Sequence, residues 1–224
     1  MCDNVGMLAT SEQKQALIDL FKEGTRLEYK KGELIVRDGD TPAGVFFIES
    51  GLVKAYDITR YGEENLLIIR KPEEIFPIIW AITASKWHVM YEAMCPSVVY
   101  RLGREKYIEA ITSRTELLAP LLDITLNMYR IQSQRVINLG YRTARERLVS
   151  FLLIMSDRFG VKEDNTIRIE APLRQQDIAS SINTSRETAS RELSALEKKG
   201  LISMSKMQIT INDPEKIRQI IEQS

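Results

Sequence analysis

Histidine is almost missing from this chain of 224 residues: there is one, His88, and only two cysteines, Cys2 and Cys95. One imidazole supports no His-rich metal site and leaves no evident partner for a Ser–His–Asp triad, so hydrolytic and metal-dependent enzyme classes start without their chemistry. Two thiols far apart in sequence make neither a disulfide framework nor a zinc knuckle, and an iron–sulfur cluster needs about four thiolate ligands. Net charge is lacking too, because 31 basic residues balance 31 acidic ones. Such a chain does not bind nucleic acid by bulk charge, although specific readout depends on where the charges lie and stays open. No apolar run approaches the ~18–20 residues of a membrane span. The start, MCDNVGMLATSEQ, has no basic segment followed by an apolar core and does not read as a secretory signal. The expectation is a cytoplasmic protein without a membrane partner, a cofactor or an enzymatic activity.

What the chain does have is concentrated in QQDIASSINTSRETASRELSALEKKG, from Gln175 to Gly200. Ile178, Ala179 and Ile182 give a short first helix an apolar stripe. Asn183 supplies turn chemistry, and Thr184 or Ser185 caps the next helix, with Glu187 three residues after Thr184 completing a capping box. Ala189, Leu193 and Leu196 recur at i, i+4 and i+7, so one side of this second helix packs on its own domain. The other side carries Arg186, Glu187, Ser190, Arg191 and Ser194, and Gly200 stands where a left-handed C-cap is wanted. That polar side suits the DNA major groove: arginine grips guanine O6 and N7, glutamate accepts from cytosine N4, and serine serves either role. The plainer alternative is a solvated face with a weak Glu187–Arg191 pair. Between Pro172 and Gly200 the cations Arg174, Arg186, Arg191, Lys198 and Lys199 nearly balance Asp177, Glu187, Glu192 and Glu197. Weak non-specific affinity is therefore expected, with strong dependence on the correct site and on dimerisation. LISMSKMQITI, two β-prone runs around Ser205 and Lys206, then makes a hairpin, and the pair is a winged helix. Asp213–Pro214 opens a last helix bearing Ile217, Ile220 and Ile221.

The run DIASSINTSRETASRELSALEKKGLI resembles the DNA-binding signature of the CRP/FNR family, the relatives of the cyclic-AMP receptor protein and the fumarate–nitrate regulator. The resemblance implies that Arg186, Glu187 and Arg191 read bases in a TGTGA-like half-site. Ser190 matches the serine that the fumarate–nitrate branch uses for a TTGAT-like half-site, so both codes are present and neither is selected. Thr184, Ser185 and Gln175 complete the expected DNA-contact set. The resemblance also implies a palindromic double-stranded operator, a second copy of the chain, RNA polymerase and an unidentified small-molecule effector as partners. The cysteine set of the oxygen-sensing branch is missing here.

The N-terminal half carries a short amphipathic helix, SEQKQALIDLFKE, with Leu17, Leu20 and Phe21 on one side, and from Thr25 the pattern shifts toward period two. Turns at Lys31–Gly32, Asp38–Gly39–Asp40, Ser50–Gly51 and Tyr61–Gly62 space short strands in the manner of a jelly roll. The string from Lys31 to Lys54, KGELIVRDGD followed by VFFIESGLVK, resembles the opening strands of a cyclic-nucleotide-binding roll. A metal-dependent cupin would share such a roll but needs clustered histidines. The family's nucleotide-binding members place a Gly-Glu pair and, about ten residues on, an Arg-Ser or Arg-Thr pair where this chain has Phe76–Pro77 and Trp87–His88. A cyclic phosphate would lose its water without gaining an ionic partner, which argues against cyclic AMP. Phe76, Ile78, Ile79, Trp80, Trp87, Met90 and Tyr91 replace those groups, as a pocket for an apolar or aromatic effector or as a filled core; both readings stand. His88 belongs to the candidate pocket. With Cys95 it is also a candidate for haem ligation, and Cys2 or Cys95 is a candidate redox switch, each a weaker reading. A lone histidine is more often simply structural.

From Thr115 to Asn138 the pattern is helical. Leu117, Leu121, Ile124, Met128 and Ile131 recur at 4,3,4,3 spacing and are expected to form a dimer seam, with Leu118, Leu122 and Leu126 widening the apolar face toward the roll. The resemblance makes Tyr129, Gln132 and Ser133 candidate effector contacts. Asn138–Leu139–Gly140 is expected to break the helix as a hinge, and Thr143 with Glu146 to start the next helix. The fold expected is therefore α+β: a cyclic-nucleotide-binding-like β-roll over residues 1–112, a dimerisation helix and hinge over 113–140, and a winged helix-turn-helix over 141–224. The function expected is an effector-controlled, homodimeric transcription regulator. The alternative is a ligand-binding regulatory module without DNA contact.

Overall fold

The computed structural model describes residues 8–85 and 88–222. Contacts divide the chain into two compact units, residues 1–57 with 67–129, and residues 58–66 with 130–224. None of the described helices is long and apolar enough to cross a membrane.

The chain first runs through α1 (Ser11–Lys22), β1 (Thr25–Tyr29), β2 (Leu34–Val36), β3 (Val45–Ser50), β4 (Val53–Ile58), β5 (Glu64–Arg70), β6 (Ile75–Phe76), α2 (Ile78–Thr83), β7 (Met90–Ala93), β8 (Ser97–Leu102) and α3 (Arg104–Ser113). A single 3-10 turn, Thr115–Leu117, then leads into α4 (Leu118–Tyr141). Two four-stranded sheets, in the orders β1-β8-β3-β6 and β2-β7-β4-β5, make the roll. Antiparallel β8 lies between β1 and β3, with Val99 opposite both Leu27 and Ile48. Strand β3 is buried on both faces from Val45 to Ile48, and its period of two sorts the side chains. Val45 and Phe47 join Leu17, Leu20, Phe21, Leu102 and Tyr107 in the core beneath α1 and α3. Phe46 instead stacks on Phe76 at 5.3 Å, and Phe76 on Tyr91 at 4.6 Å, a column linking the two sheets. At Gly51 φ is +87°, and a Cβ would come within 2.2 Å of Ser97 Oγ, so this turn takes only glycine.

Helix α4 presents two apolar stripes, and the one expected to form the dimer seam is the less exposed of the two within the single chain. Leu117 and Ile131 are buried, and Leu121, Ile124 and Met128 are half-buried within the chain itself, while Leu118, Leu122 and Leu126 are the exposed ones. The stripes are one residue apart on the helix, so spacing fixes that two exist and not which one faces inward. The helix also continues through Asn138–Leu139–Gly140 to Tyr141 instead of breaking there. The Asn138 amide is buried, accepts from Gln134 and donates to Ser150 Oγ at 2.7 Å, and so does not compete for backbone groups. A glycine in a helix interior costs only about 1 kcal/mol. The break falls at Arg142–Thr143, where Thr143 and Glu146 form a capping box for the following helix.

The second unit continues with α5 (Ala144–Phe159), β9 (Gly160–Glu163), β10 (Thr166–Ile169), α6 (Gln175–Ser181), α7 (Arg186–Lys198), β11 (Ile202–Ser205), β12 (Gln208–Ile211) and α8 (Pro214–Glu222). Its sheet has the order β11-β12-β10-β9. The β9–β10 hairpin turns at Asp164, whose φ is +52°. Through it β10 backs the wing, with Ile169 opposite Ile209. Helices α7 and α8 both pack on α5.

Candidate nucleic-acid interface

The reading motif is built from local rules. Helix α6 is capped at Ile182, and Asn183 takes the left-handed conformation, φ +48°, that lets the chain reverse. Thr184 N–H donates back to Ala179 O at 3.0 Å. Ser185, not Thr184, is the N-cap of α7, with its hydroxyl accepting from Thr188 N–H at 3.2 Å, so Thr188 stands where Glu187 was expected to complete a box. Glu187 is left on the surface. Its carboxyl is held below the usual range by its own backbone N–H first, then by the Ser185 hydroxyl and the adjacent Arg186 charge.

Helix α7 separates packing from display. Ala189, Leu193 and Leu196 are buried, while Arg186, Glu187 and Arg191 are exposed and Ser190 and Ser194 half-exposed on the opposite side. Gln175 and Ser185 are exposed as well, and Thr184 is half-buried. The structure thus brings every residue of the expected DNA-contact set onto α6, α7 or the turn between them. Glu192, mostly buried, accepts from Arg145 Nε at 2.8 Å and lies 3.8 Å from Arg191 Nε, which ties α7 to the start of α5. Beyond α7, the wing hairpin turns at Lys206, φ +54°. At the start of α6, Arg174 donates to both oxygens of buried Asp177. Neither Arg145 nor Arg174 was singled out by sequence; the Arg-x-x-Asp spacing from Arg174 to Asp177 was the available signal.

The candidate effector residues are dispersed. Phe76 and Tyr91 meet in the aromatic column inside the roll, and burial raises the Tyr91 phenol pKa. Trp80 packs against the other core, under α1, with Arg104 over its ring. His88 is exposed, its Nδ1 2.7 Å from Asp38 Oδ1. Tyr129 is exposed, and Gln132 and Ser133 are half-buried. Trp87 and Cys2 lie outside the described residues, and Cys95 is a half-buried free thiol. One group escaped the sequence reading: Arg70 and Glu74, both buried, form an ion pair at 3.8 Å beside Tyr91 and the Met128 sulfur. Among the described residues, no cluster of three His, Cys, Asp or Glu is placed to hold a metal ion.

A Crp-like helix-turn-helix domain matches residues 146–220, and a cyclic nucleotide-binding domain matches residues 26–114. The global nitrogen regulator of Nostoc sp. is 31% identical over 189 residues, covering 83% of this chain and 84% of that protein. The transcriptional activator protein FnrA of Stutzerimonas stutzeri is 27% identical over 202 residues, covering 90% of this chain and 82% of that protein. Among solved structures, a CooA mutant from Carboxydothermus hydrogenoformans matches with a TM-score of 0.77 over 96% of this chain and 98% of that one. At 19% identity that last likeness is one of fold alone.

Proposed function

Since this chain belongs to the CRP/FNR family of DNA-binding transcription regulators, we propose that it acts in the cytoplasm as a homodimer on a palindromic operator. Two copies of α7 enter successive major grooves there. The observation that carries this reading is the division of α7 into a packed side, Ala189, Leu193 and Leu196, and an exposed side, Arg186, Glu187, Ser190 and Arg191. The two arginines contact guanines, and Glu187 or Ser190 sets the neighbouring position. Dimerisation uses the exposed stripe Leu118, Leu122 and Leu126, because an apolar row of that kind in water is ordinarily covered by a partner. RNA polymerase is the further partner, and a small molecule sensed by the roll controls the equilibrium between reading and non-reading forms.

A second reading, in which the roll needs no small molecule, is favoured by the Phe46–Phe76–Tyr91 column, which occupies the interior between the two sheets. One experiment addresses both. Bound sequences are selected from random duplex DNA with the purified, effector-free protein, and the selection is repeated with cell extract. A palindrome with TGTGA-like or TTGAT-like arms is expected. Enrichment without extract supports the ligand-independent form, and enrichment only with extract supports effector control. No enrichment under either condition refutes the DNA-binding proposal.

A further inference from the structure

The first helix of the reading motif begins with an arginine whose charge is divided between two carboxylates. Arg174 donates from its backbone N–H and from Nε to one oxygen of Asp177, at 2.9 and 3.0 Å. Its Nη2 donates to the other Asp177 oxygen at 2.7 Å and also to Glu64 Oε2 at 2.6 Å. Asp177 is buried and is part of the motif's own framework. Glu64 is different. It is the first residue of β5 and comes from residues 58–66, the stretch from the end of β4 into the start of β5 that belongs by its contacts to the second unit, and its side chain is one-third exposed. Together the two carboxylates raise the guanidinium pKa, with the Asp177 hydrogen bond the largest cause.

The same stretch is also tied to the far end of α6. Leu66 N–H donates to Ser180 Oγ at 3.2 Å, and Arg135 donates to Leu66 O at 2.9 Å and to Ser180 O at 3.4 Å. Both ends of α6 are therefore held by one short segment, through a salt bridge at one end and hydrogen bonds at the other.

In a helix-turn-helix the first helix crosses the DNA backbone, and arginines there meet phosphate oxygens. Phosphate and carboxylate are both anionic acceptors for the same guanidinium fork. We propose that Glu64 holds the arm of Arg174 that a DNA phosphate would take, so that the β4–β5 segment is a competitive anionic cover on the reading motif. Asp177 orients Arg174 in either state, and Glu64 and phosphate exclude one another. The inference rests on the DNA-binding reading above.

The test is fluorescence anisotropy of the full chain with the selected duplex, at one fixed moderate salt concentration. Glu64→Gln keeps the shape and removes the charge, and it is expected to tighten binding roughly two- to five-fold, the range of a part-exposed ion pair. Glu63→Gln, an exposed carboxylate on the same segment, controls for the general loss of negative charge and is expected to change binding much less. In an Arg174→Ala background, which binds more weakly, Glu64→Gln is expected to give no gain. Unchanged binding by Glu64→Gln, an equal gain from Glu63→Gln, or a gain that survives Arg174→Ala overturns the cover while parental DNA binding stands. If neither parent nor Glu64→Gln binds the duplex, the cover and the DNA-binding reading fall together.

Discussion

The side-chain amide of Asn138 donates to the hydroxyl of Ser150 at 2.7 Å, with both residues buried. This bond joins the last turns of α4 to the second turn of α5 across the break at Arg142–Thr143. Removing one partner leaves the other buried and unsatisfied, at a cost of about 1–3 kcal/mol. Asn138→Ala and Ser150→Ala are each expected to lower stability by that order in urea denaturation. The double variant is expected to cost less than the sum; strict additivity would show that the bond contributes nothing.

Arg186→Ala and Arg191→Ala are each expected to weaken binding to the selected duplex by about 1–3 kcal/mol and to relax base preference at one position of each half-site. Neither side chain is used in packing, so thermal unfolding should stay close to that of the parent. A uniform loss across all sequences, without relaxed preference, would reassign these arginines to phosphate contacts.

Leu122→Glu places a charge in the middle of the exposed stripe on α4. Sedimentation velocity is expected to show a monomer where the parent is a dimer, with secondary structure retained, because Leu122 is about half exposed in the chain by itself. A dimer that survives this change, and also Leu118→Glu, would place the interface elsewhere.

Arg70→Met removes one half of the buried pair with Glu74. Breaking a buried ion pair from one side is strongly destabilising, and a loss of about 3 kcal/mol in denaturant unfolding is expected. Arg70→Met combined with Glu74→Leu should recover much of it. A single variant as stable as the parent would mean that solvent reaches the pair.

The reading motif was legible because its rules are local. Turn chemistry at Asn183, the helical repeat of Ala189, Leu193 and Leu196, and Gly200 all act over a few residues. The cap showed the limit of that approach, since Thr184 and Ser185 are adjacent and both competent, and only the backbone chose Ser185. The α4 stripes were visible but not which of them is buried, because both rows have helical spacing and they start one residue apart. The β9–β10 hairpin left no trace in the pattern: β9 is exposed along its whole length and so shows no alternation. Least legible were Glu64–Arg174 and Arg70–Glu74 with Tyr91. In the first, charges far apart in sequence meet through tertiary structure; in the second, the pair brackets the charged run RKPEE, which reads as a solvated turn although the fold buries both ends of it.

On α7 the residues that hold the helix in place and the residues offered to DNA do not overlap. Ala189, Leu193 and Leu196 face the core, and Arg186, Glu187, Ser190 and Arg191, the residues proposed to read the operator, take no part in it. Mutation can therefore rewrite the preferred base sequence without first destabilising the protein. A duplicated copy of this regulator has a short route to a new set of promoters, with its scaffold inherited unchanged.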